Sequence, residues 1–204
     1  MIRTFALALA IALVSCRDST PEPVPEEIPE IQGVFGQAPP LANGITSVVM
    51  LDAASPIQGN LGQGDPAIDQ LGLEFTPKQL LVQIGQTVGF TNSESIGHNV
   101  HLSVMETDST VFNTDTDTSQ RVDYVFDREG AYNVTCDVHP GMQAMIYVTD
   151  APFGVFAEES GSFVIPDVPE GTYALSVWSF NADFRIERTI EVNIPSTEVD
   201  LGIR

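Results

Sequence analysis

Apolar and polar residues alternate with a period of two along most of the chain. In KQLLVQIGQTVGFTN (78–92), Leu80, Val82 and Ile84 share one face, with Gln79 and Gln83 opposite. In RVDYVF (121–126), Val122, Tyr124 and Phe126 alternate with Arg121 and Asp123. YNVTC (132–136) puts Tyr132, Val134 and Cys136 on one side, and TIEVNI (189–194) does the same with Ile190, Val192 and Ile194. Helical periodicity is nearly absent after Ile31, and Gly, Pro, Asn and Asp separate the short runs. This pattern predicts an all-β protein of sandwich architecture.

Two blocks separate within that pattern. All three histidines and Cys136 fall within residues 67–149, and none within 150–204. The second block contains SGSFVIPDVPEGTYALSVW (160–178), which reads as strand, Pro-Gly turn and strand, and Trp178 is expected in a core or between domains. IQGVFGQAPPLANGITSVVMLDA (31–53) adds two strands ahead of the histidine-bearing block, and PIQGNLGQGDP (56–66) is a turn-rich connector. Residues 31–53 have two placements. They add strands to the histidine-bearing domain, or they belong with the C-terminal strands, so that the histidine-bearing domain is an insertion.

The first 15 residues break the alternation. A positive start is followed by the apolar run TFALALAIALVS (4–15), too short to span a bilayer and expected to be a signal peptide. It ends at Leu13-Val14-Ser15-Cys16, which resembles a bacterial lipobox and implies cleavage before Cys16 and lipidation of its thiol; ordinary signal-peptidase cleavage is the alternative. RDSTPEPVPEEIPE (17–30), rich in Pro and Glu, completes a tether over 16–30. Attachment to a membrane would then be through the lipid alone, on the periplasmic or cell-surface side.

Charge narrows the partners. The 204-residue chain has 28 acidic and 8 basic residues, for a net charge of -20. Such a surface repels nucleic acid and anionic lipid, so a charged partner should be cationic; solubility in an extracytoplasmic setting accounts for the same charge.

The candidate chemistry lies in SIGHNVHLSV (95–104) and CDVHPGMQAM (136–145). One thiolate, two imidazoles and a thioether are the donor set of a blue-copper centre. Cys136 leaves a strand, and His139 and a methionine follow on a tight turn at Pro140-Gly141, with His98 reaching the same point from a neighbouring strand. Zinc is disfavoured, because a thioether is a poor zinc ligand and structural zinc sites usually hold more thiolates. A reactive Cys-His pair lacks a third orienting group. A buried structural cysteine beside unrelated histidines, or a disulfide from Cys136 to Cys16, are the remaining readings.

GHNVHLSV together with CDVHPGM resembles the cupredoxins, and the spacing Cys-x2-His-x2-Met is similar to the short ligand loop of amicyanin. IDQLGLEFTPKQLLVQIGQTVGFTNSE (68–94) is similar to the first strands of that family. The resemblance implies a Greek-key β-sandwich over 67–149 that binds one type I copper ion through His98, Cys136, His139 and Met142, with Asn99 bracing the ligand loops. It further implies a one-electron carrier, not an enzyme, that meets a redox partner protein; copper carriage or sensing is the alternative. The chain also resembles bacterial methylamine-utilisation-like proteins, which implies a second, smaller carboxypeptidase-regulatory-like (transthyretin-like) sandwich over 150–204. His101 stands where those relatives have Phe and Ser179 where they have His, so His101 reads as a strand residue beside the site. Met145 falls in the closing strand and reads as packing. NTDTDTS (113–119) lacks the Gly and Glu of an EF-hand, having Thr118 and Tyr124 there, and reads as a polar loop.

Overall fold

A computed structural model describes residues 32–42, 44–179 and 185–201, and every regular element among them is a β-strand. The signal segment, the tether and Cys16 lie outside the described residues.

The histidine-bearing block folds as two facing sheets. One contains β5 (Gln79–Gln83), β11 (Gln143–Thr149), β10 (Gly130–Thr135), β7 (His98–Val104) and β8 (Ser109–Thr116), in that spatial order. The other contains β4 (Glu74–Thr76), β3 (Ala67–Leu71), β6 (Thr87–Asn92) and β9 (Arg121–Val125). The alternating apolar residues meet between them: Ile68, Val82, Phe90, Val100, Leu102 and Ile146 are fully buried. Each such side chain is worth about 1.5–3 kcal/mol of burial, which makes this interior the main force holding the strands in register.

The strands of 31–53 pair with the C-terminal strands. β1 (Gly33–Gln37) lies between β13 (Ser162–Ile165) and β16 (Ser196–Val199). β2 (Val48–Ala53) lies between β12 (Phe153–Phe156) and β14 (Gly171–Trp178), with β15 (Arg185–Val192) outside β14. Val34, Leu51, Phe163, Ile165, Leu175 and Val177 form their common core. The chain thus leaves this second sandwich after β2, builds the first one, and returns at β12.

A third apolar cluster joins the two sandwiches. Val48 and Met50 of β2 pack with Met145, Tyr147 and Ala151, and Leu81, Phe156 and Trp178 close around them. The ring centroids of Tyr147 and Trp178 are 6.0 Å apart. β11 therefore has both faces covered: Ala144, Ile146 and Val148 face the first core, while Met145 and Tyr147 face the junction. Burial pushes the Tyr147 hydroxyl up to about 12. The junction leaves no room for a side chain at Gly59, where a Cβ would lie 1.8 Å from the Pro152 carbonyl oxygen.

Residues 113–116 are strand, not loop. They form the end of β8 and pair with His98–His101. The polar pattern misled because β8 is an edge strand with much of its side-chain surface in solvent.

Because β1 and β2 are central strands, residues 150–204 expressed alone should be insoluble, and co-expressed residues 31–55 should rescue them. A soluble fragment that unfolds cooperatively by circular dichroism would contradict this pairing.

Candidate metal centre

The centre is built at the end of the first sandwich where β7 begins. Three fully buried polar residues prepare it: Gln70, Asn92 and Thr116. Thr116 Oγ1 donates to Gln70 Oε1 at 3.1 Å. Asn92 Nδ2 donates to the carbonyls of Ile96 at 2.8 Å and Thr116 at 2.9 Å, and its Oδ1 accepts the Glu94 N–H at 2.9 Å. Buried polar groups are mostly paired, and the Asn92 bonds shape the turn from Ser93 to Gly97; Gln70 Nε2 is buried without a partner among the described residues. The turn sets Glu94 against His98.

Glu94 then fixes the imidazole. Its Oε2 lies 2.5 Å from His98 Nε2, and its Oε1 accepts the backbone N–H groups of Gly72 at 2.7 Å and Leu73 at 3.2 Å. An ionised carboxylate only accepts, so His98 donates from Nε2 and its Nδ1 keeps a bare lone pair. Burial pushes the Glu94 carboxyl up, but the bonds from His98, Gly72 and Leu73 outweigh it and hold the group below the ordinary glutamate range.

Cys136 follows β10 and His139 lies on the next turn, where Gly141 adopts φ +102°, a conformation that suits glycine. His98 Nδ1 and His139 Nδ1 are 3.1 Å apart, and Cys136 Sγ is 3.8 Å from His139 Nδ1. The three donor atoms all lie within 4.8 Å of one another. His98 and Cys136 are buried, His139 less so, and Cys136 is a free thiol. Met142 is buried in the same cluster as Cys136, and its backbone N–H donates to the His139 carbonyl at 3.3 Å.

Asn99 joins the two halves. Its Oδ1 accepts the Asp137 N–H at 3.3 Å, while its Nδ2 donates to Asn113 Oδ1 at 2.7 Å and to the Thr114 carbonyl at 3.2 Å. His101 stands apart from the donor group, with its ring nitrogens on Asp137 and Thr110. Met145 is turned to the junction between sandwiches. Glu94, Asn113 and Asp137 were not visible as site residues in the sequence; a carboxylate four residues before a ligand histidine was the one available signal.

The donor set fits copper. Two imidazole lone pairs facing each other at 3.1 Å are unfavourable unless a proton or a cation lies between them. Two imidazole nitrogens with one cysteine sulfur match the His₂Cys arrangement of type I copper.

Residues 64–149 match the family model of copper binding proteins of the plastocyanin/azurin family. That makes the first sandwich a cupredoxin domain, within a chain of which it forms less than half. Cupredoxins bind one copper ion and are typically electron carriers. Among solved structures, a purple cupredoxin from Nitrosopumilus maritimus is 26% identical, with 41% of this chain and 99% of that one covered and a TM-score of 0.37. A Cu(I) amicyanin variant is 22% identical over 49% of this chain and 97% of its own, with a TM-score of 0.38. No curated protein matches the chain.

A carboxyl held below its ordinary value stabilises the fold at pH above its unfolded value, and loses that contribution as pH falls through the folded one. The metal-free protein should therefore lose stability on acidification below about pH 4.5, the ordinary value for Glu94. Glu94→Gln should flatten this part of the profile in urea unfolding. Identical profiles for the two proteins would show that the carboxylate bridge has no energetic role.

Proposed function

We propose that the chain is an extracytoplasmic type I copper protein that carries single electrons, with His98, Cys136, His139 and Met142 as the copper ligands. The convergence of His98 Nδ1, Cys136 Sγ and His139 Nδ1 carries the reading. Met142 is assigned the weak axial place because it shares the buried cluster of Cys136, whereas Met145 faces the other way.

Bound copper would supply a one-electron couple. The protein holds the donor set still: Glu94 keeps the His98 proton on Nε2, and Asn99 ties the Cys136 segment to β7 and β8. Of the two imidazoles, His139 is the less buried and is the electron port. Its neighbour Val138 is 56% exposed, and Leu71 and Leu73, beside the amides that hold Glu94, are 55% and 50% exposed. This apolar rim on a chain of net charge -20 suits a redox partner with a cationic docking surface. Cupredoxins typically work outside the cytoplasm, and the Cys16 motif supports a lipid anchor there.

Optical and EPR spectra of the copper-loaded protein test the function. A strong thiolate-to-copper band that bleaches reversibly on reduction supports electron transfer; tight Cu(I) binding without a coloured Cu(II) form would point to copper carriage instead. Cys136→Ala should abolish the band. Met142→Leu should keep copper and raise the potential, since losing a weak axial thioether favours Cu(I). A spectrum altered by Met145→Leu but not by Met142→Leu would contradict the axial assignment.

The anchor is tested separately. Cys16→Ser should move the protein from the membrane fraction to the soluble pool, and a native intact mass without acyl chains would refute lipidation.

A further inference from the structure

One network beside the donor group has no place in the ligand set. Asp137 follows Cys136 directly, and it is held at three points. Its backbone N–H donates to Asn99 Oδ1 at 3.3 Å. Its Oδ1 is bonded to His101 Nδ1 at 2.8 Å, and its Oδ2 accepts from Asn113 Nδ2 at 3.0 Å. The other nitrogen of His101, Nε2, meets Thr110 Oγ1 at 2.7 Å, so the ring is fixed at both ends.

The anchors share a common frame. Asn99 and His101 belong to β7, the strand that opens with His98, and Asn113 and Thr110 belong to its partner β8. His101 pairs with Asn113 across β7 and β8, and with Thr135, the residue before Cys136, across β7 and β10. Every group that grips Asp137 is therefore referenced to the strand of the first imidazole. Fixing the peptide after Cys136 leaves its side chain little freedom relative to His98.

We infer that His101 and Asp137 are positioning residues: a clamp that fixes the Cys136 thiolate against His98 and restrains the donor set from rearranging when the copper changes oxidation state. The inference rests on copper binding at the ligands named above. The side chains of His101 and Asp137 are 25% and 48% exposed, and ion pairs that open to water add little to global stability. Losing the clamp should thus leave the fold intact and register at the site.

The test uses the full mature chain, wild type against His101→Phe, His101→Asn and Asp137→Ala, in two forms. In the metal-free form, hydrogen exchange at the amides of 137–139 should quicken by about tenfold or more in His101→Phe and Asp137→Ala, with unfolding midpoints near wild type. His101→Asn, which can still donate to the carboxylate, should restore much of the protection. In the copper form, the first two variants should show an altered ratio of the thiolate-to-copper bands and a changed copper hyperfine splitting. Wild-type exchange at 137–139 in both His101→Phe and Asp137→Ala would overturn the clamp, as would unaltered spectra in both. A wild-type protein without a thiolate-to-copper band would defeat the copper reading instead, and the metal-free measurement would still decide whether the clamp holds the loop.

Discussion

Three electron-rich atoms that would repel one another, or take up a proton, are held within 4.8 Å by the surrounding strands. The site depends on the register of β7, because its first residue is a donor and its next outward residues grip the loop of the other two. A slip of one residue would turn His98 out of the core and break the bonds from Asn99. The core residues Val100 and Leu102 on the same strand oppose such a slip, since both are fully buried. Hydrophobic packing fixes the register, and the register brings the donors together.

Buried polar bonds then refine what packing cannot. Gln70, Asn92 and Thr116 sit beneath the turn that carries Glu94, and Glu94 selects which nitrogen of His98 is free. The fold thus holds a donor set in which His98 and Cys136 are buried and His139 is partly exposed. The second sandwich adds a further constraint from behind: β2, Phe156 and Trp178 cover the outer face of β11, the strand that follows the ligand loop. The cupredoxin domain is thus covered along β11 by the second sandwich, and the two domains share apolar residues in one buried cluster.

Much of this was legible in the sequence for physical reasons. Alternation revealed the strands because most have one face inward, and the donors were visible because sulfur and imidazole ligands are few and their spacing is short. Met145 was legible as packing in the closing strand, but that both faces of β11 are covered appears only in the fold. What escaped depends on tertiary register. Asn113 and Asp137 are ordinary polar residues whose roles arise only when β7, β8 and β10 are aligned, and that of Glu94 only when the Gly72–Leu73 turn meets His98. β8 looked like a loop because an edge strand can be polar, and no local pattern distinguished the two placements of residues 31–53, since β1 and β2 pair across more than a hundred intervening positions.

If the proposed ligands are held fixed by the strands, copper changes charge with little movement of its neighbours. X-ray absorption at the copper edge, recorded at neutral pH on oxidised and reduced protein, tests it most directly. One sulfur and two nitrogen neighbours at nearly the same distances are expected in both states. Loss of an imidazole on reduction, or a site with no short copper–sulfur bond in the oxidised state, would contradict it.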